Sequence, residues 1–166
     1  MKRYCAIISL ALLTGLLLYL VYRTDRTIVN ILLDKLTHGR SHDIRIILRK
    51  KIPLPGFIIF SLPEGLWVFS ATLVSKHLYC GIKGVRLHLS WLPLFYAVLL
   101  EGLQWLHLMP GRFDIMDLSL SALFTIWALK GINCPLPEQD VFRQVNYRTF
   151  SLVYIYGIVF LSHVSV

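Results

Sequence analysis

Six side chains suited to binding or acid–base chemistry lie inside or beside strongly apolar sequence: Glu64, Glu101, Gln104, Arg112, Asp114 and Asp117. Five of them fall in one stretch, Glu101-Gly-Leu-Gln104-Trp-Leu-His-Leu-Met-Pro110-Gly-Arg112-Phe-Asp114-Ile-Met-Asp117. It starts within an apolar run, turns at Pro110-Gly111 and enters the next apolar run with two carboxylates. A charge in hydrocarbon costs about 2.5–3.5 kcal/mol on insertion scales. Such residues therefore either lie outside a bilayer or face one another. Facing one another, they can pair, orient a ligand, exchange a proton or hold a divalent cation.

The spacing says which of them can meet. Glu101 and Gln104 are three apart and share a helix face, as do Asp114 and Asp117. Glu101 falls roughly 12–13 Å before Pro110 along a helix, within reach of a returning Arg112 side chain. Each residue also has a purely structural use. Asp114 suits a helix N-cap, with Asp117 favoured by the dipole in the first turn. Ser61-Leu-Pro63-Glu64 has the form of a capping box, so the helix proper is expected to begin at Ser61 with Phe57–Phe60 as an apolar lead-in. Arg112 suits a headgroup-facing loop. Glu101 lies in mid-run, so its structural use is a buried tie between helices.

His107, six residues after Glu101, is placed to join the cluster. His38 and His42 have no carboxylates at a metal-site spacing, and no metal or cofactor is expected. Cys5, Cys80 and Cys134 have neither the number nor the spacing of a disulfide framework and read as small apolar fillers. No nucleophile elbow, phosphate loop or dinucleotide fingerprint occurs. Trp67, Trp91, Trp105 and Trp127 mark interfacial belts and packing.

The elements that position these residues read as membrane helices. Of 166 residues, 56% are hydrophobic and 16% charged, against about 25% charged in soluble domains. The mean hydropathy is +0.64. The expected fold is all-α, a polytopic membrane bundle of about five transmembrane helices forming one domain over 1–166. The spans fall near 4–22, 57–79, 87–109, 113–132 and 149–166. The first run lacks a small-x-small cleavage site and reads as a retained span. Residues 23–54 form a basic connection whose apolar residues recur at helical spacing, with Ile28, Ile31, Leu32 and Leu36 before Gly39 and Ile44, Ile47 and Leu48 after it. Two amphipathic interfacial helices broken at Gly39 fit that pattern.

Alternating five spans brings Glu64, Glu101, Gln104, Arg112, Asp114 and Asp117 to one membrane face, with the basic connection beside them. The net charge of +8 is concentrated between the apolar runs. Basic residues nearly balance across the two faces; the short loops and the start of the chain favour a cytoplasmic N-terminus and an outward cluster. No aromatic-interleaved basic patch suggests nucleic acid.

The pattern Glu101-x-x-Gln104, a turn, then Arg112-x-Asp114-x-x-Asp117 entering a helix resembles the VanZ-like family of small multi-span bacterial membrane proteins. The family's helix continues to an Asn and then a Gly, where this chain has Leu118-Ser119-Leu120-Ser121, the mark of a divergent branch. The resemblance implies a multi-pass protein of the bacterial inner membrane and cell envelope; the founding member is associated with low-level glycopeptide resistance. The expected function is non-enzymatic. The polar cluster would bind an envelope lipid, a lipid-linked precursor, a glycopeptide-type antibiotic or a membrane partner, with Arg112 pairing an anionic group and Glu101 and Gln104 orienting it. Two alternatives stand beside it. One is an intramembrane enzyme acting on an envelope lipid, with Glu101 as base and Asp114 or Asp117 holding a divalent cation. The other is a structural or immunity-type partner protein.

Overall fold

A computed structural model describes residues 2–22, 28–82, 85–109, 111–133, 136–143 and 146–163. Pro110 and Cys134, the start of the 23–54 connection and the last three positions of the 149–166 run lie outside the described residues. The fold is mostly helical: α1 (Lys2–Tyr22), α2 (Ile28–Leu36), α3 (Arg40–Lys51), α4 (Gly56–Phe60), α5 (Leu62–Ser75), α6 (Leu92–Trp105), α7 (Ile115–Ile126) and α8 (Tyr147–His163). The two amphipathic helices expected around Gly39 are α2 and α3.

Helix α5 is the axis of the bundle. It touches α1, α6, α7 and α8, and nine of its residues are buried. Gly15 of α1 lies level with Pro63 and Leu66, while the Tyr4 hydroxyl donates to the Leu73 carbonyl, so α1 and α5 run antiparallel. Trp67 donates to the Ile155 carbonyl (3.2 Å), which ties α8 on. Tyr96 and Tyr156 meet the Trp67 ring edge-on at 5.6 and 5.5 Å. Trp67 is therefore a core residue, whereas Trp91, Trp105 and Trp127 are exposed.

The apolar runs depart from unbroken spans in three places. The run over 57–79 breaks at Ser61, because Pro63 has no N–H to bond the preceding turn; the helix restarts with Pro in its first turn. It also ends early. Leu78–Ile82 (β1) pairs antiparallel with Val85–His88 (β2), and with Gln139–Asp140 (β3) in parallel. Ile82 is in register with Val85 at the near end of the two strands; β-branched residues on either side of Lys83-Gly84 are the sequence signal for that pairing. The run over 87–109 accordingly starts as strand, passes through a 3-10 turn at Leu89–Trp91 and becomes α-helical at Leu92.

At its far end α6 stops at Trp105 in a Schellman motif. Leu108 N–H reaches the Leu103 carbonyl (2.9 Å) and His107 N–H the Gln104 carbonyl (3.0 Å). His107 occupies the left-handed position (φ 58°) that glycine usually fills. Among the described residues one helix, Tyr4–Tyr22, is long and apolar enough to cross a membrane. Helices α5 and α6 have 14 residues each, or about 21 Å, against a hydrocarbon core of about 30 Å.

Helix α7 runs directly into a π-helical turn, Trp127–Gly131. Lys76, just after α5, donates to the carbonyls of Ala128 (3.3 Å), Leu129 (2.7 Å) and Ile132 (2.8 Å). It satisfies acceptors that a helix end leaves open and sits where the dipole favours a cation. Lys76→Met keeps the stem and removes the donors, so it is expected to cost about 1.5–3 kcal/mol. A lowered melting temperature in detergent, with faster hydrogen exchange confined to 127–132, is the readout.

Candidate functional site

Three helices bring three carboxylates together. Glu64 stands in the first turn of α5, Glu101 in the last turn of α6 and Asp117 in the first turn of α7. One oxygen from each lies within 4.8 Å of the others. Glu101 is 3% exposed, and Glu64 and Asp117 are half-buried. At such separations two full negative charges repel by about 3 kcal/mol even at an effective dielectric of 20. Carboxylates this close repel when all are ionised, and a proton or positive charge beside them relieves the repulsion.

Local chemistry explains how each residue arrives. Glu101 is fixed through both oxygens. Its Oε2 accepts from the Asp114 backbone N–H (2.8 Å). Its Oε1 faces Gln104, whose amide, oriented to satisfy its surroundings, donates to Glu101 (3.3 Å) and to the Arg112 carbonyl (3.2 Å). The end of α6 is thereby laced to the start of α7. Gly111 is needed for this: its φ is 131°, and a Cβ there would come within 2.6 Å of the Gln104 side-chain amide. Asp114 caps α7, its Oδ1 accepting from Met116 N–H (2.9 Å).

The six expected residues thus divide. Glu64, Glu101 and Asp117 converge, and Gln104 braces Glu101. Asp114 contributes its backbone to Glu101 while its exposed carboxylate serves the cap. Arg112 is exposed, and its guanidinium forms no ion pair with a described residue; it lines a recess of about 220 Å³ with Phe113 and Asp114. The capping box fails at its first member: Ser61 is helical (φ −94°, ψ −32°) and makes no side-chain cap, although it is 1% exposed. Glu64 is placed instead beside Glu101 and Asp117. His107 is exposed and serves as a helix stop.

Gly65 was not singled out by the sequence reading. A Cβ there would come within 2.7 Å of the Phe124 ring and 3.4 Å of Leu120, so its absence lets α5 and α7 approach beside Glu64 and Asp117. The signal was present as Ser61-x-x-x-Gly65, two small residues one turn apart. Against known proteins, no family model, no curated protein and no solved structure matches this chain.

Proposed function

We propose that the chain is an integral membrane protein of the bacterial envelope, similar to VanZ-like proteins in its central motif. Its carboxylate cluster binds, without catalysis, a positively charged group carried by an envelope lipid, a lipid-linked precursor or a glycopeptide-type antibiotic. The observation that carries this reading is the convergence of Glu64, Glu101 and Asp117 within 4.8 Å. An ammonium group, or a divalent cation bridging to a phosphate, relieves the repulsion between them. Arg112 and its recess lie on the next turn of chain and would take the anionic part of the same headgroup.

Membrane embedding is supported by the inverted distribution of side chains. Leu10, Leu13, Phe95, Leu123, Phe150 and Val153 point outward at 55–68% exposure, while Ser70, Thr72, Ser75, Ser121 and Thr125 are fully buried between helices. Large outward apolar surface around a polar helix interface is what lipid accepts and water does not. The short helices α5 and α6 are then accommodated by local thinning of the bilayer, with the cluster facing outward and the N-terminus cytoplasmic.

The test is the isosteric double substitution Glu64→Gln with Asp117→Asn, which removes two charges while keeping shape. The expected result is an unchanged amount of protein in the membrane fraction together with loss of any glycopeptide-susceptibility or envelope phenotype of the wild type. Loss of the protein itself would instead assign the cluster to assembly. The same convergence favours one other reading, an envelope-lipid enzyme with Glu101 as base beside a cation on Asp117. It predicts lipid turnover that requires added Mg²⁺.

A further inference from the structure

A second site lies away from the carboxylates, where α1 meets the hairpin of α2 and α3. The hairpin is held by Asp34, which accepts from the Ser41 hydroxyl and pairs with Arg45 at 2.7 Å. The Ser41 bond, with Arg45 behind it, keeps the Asp34 carboxyl below its ordinary range, so the pair stays charged and Arg45 is neutralised at 3% exposure. The far end is tied to α1 by Arg49 Nε donating to the Val21 carbonyl (2.6 Å) and the Tyr22 hydroxyl donating to the Ile52 carbonyl (2.8 Å). Between these ties the side chains do not close up. They leave a groove of about 700 Å³.

The groove has two unlike parts. Its walls are aliphatic: Leu17 and Leu20 from α1, Leu33 and Leu36 from α2, Ile44 and Leu48 from α3. Its other lining is the hairpin turn, with Thr37, His38 and Arg40. Arg40 is exposed and opens α3, in whose first turn the Thr37 hydroxyl accepts from the Ser41 N–H (3.2 Å); the helix dipole adds positive potential beside Arg40. Asp34 is committed to Ser41 and Arg45, and Asp43, in the same first turn of α3, does not line the groove. Lys35, beside the turn, is exposed and adds to the basic rim.

We infer that this groove binds one membrane phospholipid with an anionic headgroup, its acyl chain between α1 and the hairpin and its phosphate at Arg40 and His38. An aliphatic slot ending in a basic turn fits a ligand that is hydrocarbon at one end and anionic at the other. The slot opens beside the helix able to cross a membrane, where such lipids are the available solutes. This site is independent of the carboxylate cluster, which calls for the opposite charge.

The purified full-length protein in detergent, given equal amounts of phosphatidylglycerol and phosphatidylethanolamine and read by native mass spectrometry, tests it. The wild type is expected to retain phosphatidylglycerol preferentially. Arg40→Gln should weaken retention about fivefold, the worth of one basic residue at an anionic surface, and Arg40→Lys should restore it. Ile44→Trp, which fills the slot, should abolish it. Circular dichroism confirms that each variant keeps its helix content, the substituted positions being exposed. Equal retention of both lipids, with no effect of Arg40→Gln, would overturn the anionic requirement. Retention undiminished by Ile44→Trp would place the lipid elsewhere. Displacement by inorganic phosphate alone would make this a phosphate site and not a lipid site.

Discussion

Glu101→Ala is expected to lower the melting temperature of the detergent-solubilised protein and to abolish any stabilisation by Mg²⁺. Two opposing effects set the sign. Alanine removes the acceptor of the part-buried Asp114 N–H (2.8 Å) and one partner of Gln104, a loss toward the lower end of the about 1–3 kcal/mol that a fully buried unsatisfied donor costs. It also removes a charge within 4.8 Å of Glu64 and Asp117, which by itself is stabilising when all three are ionised. With a proton or cation already present in the cluster, little repulsion remains to be relieved and the lost hydrogen bonds dominate. A chain of this length then melts about 2–4 °C lower for each kcal/mol lost. Glu101→Gln separates the two effects: its carbonyl still accepts from Asp114, so basal stability stays near wild type while the response to Mg²⁺ disappears. A rise in melting temperature for Glu101→Ala, with no Mg²⁺ response in the wild type, would mean that the cluster stands charged and empty, and the binding reading would fall.

What could be read from the sequence, and what could not, follows from the range of the forces involved. Glu101 stood out because a charge within an apolar run carries a large local cost, and Asp114 because capping is decided within three residues. The hairpin at Gly39 followed from helical periodicity. The start of a helix at Ser61 was legible because Pro63 is tolerated in a first turn; that Gly56–Phe60 ahead of it is a short helix of its own was not. The short sheet escaped because Leu78–Ile82 is apolar enough to pass for the end of a span. Its third strand, Gln139–Asp140, comes from a polar segment some sixty residues later, and no local signal announces that pairing. Lys76 likewise has no local signal for its role, since its partners are three carbonyls more than fifty residues away. Arg112 was expected to answer Glu101 with its guanidinium. Its carbonyl does so through Gln104, a role open to any residue at that position and therefore invisible in the choice of arginine.

Gly65→Val is expected to damage the cluster without touching any of its carboxylates. The Cβ position at Gly65 lies 2.7 Å from Phe124 Cδ2 and 3.1 Å from Cε2. That ring cannot simply rotate aside, because Phe69 and Trp127 pack against it with centroids at 5.9 and 5.8 Å. Helix α7 must move away from α5, and Asp117, one turn before Leu120, moves with it. Overpacking of this kind costs about 1–3 kcal/mol. Gly65→Ala is the milder case, since replacing glycine within a helix returns up to about 1 kcal/mol of propensity. Helix separation predicts a specific rescue: Phe124→Leu vacates the ring's space, so Gly65→Ala with Phe124→Leu should be more stable than the sum of the single effects allows. Residues in contact ordinarily couple by about 0.5–3 kcal/mol in such a cycle. The Mg²⁺ response, lost in Gly65→Val while the protein remains folded, should return with the same compensation. Strict additivity, or an unchanged Mg²⁺ response in folded Gly65→Val, would show that the distance between α5 and α7 does not govern how Glu64 and Asp117 share their charge.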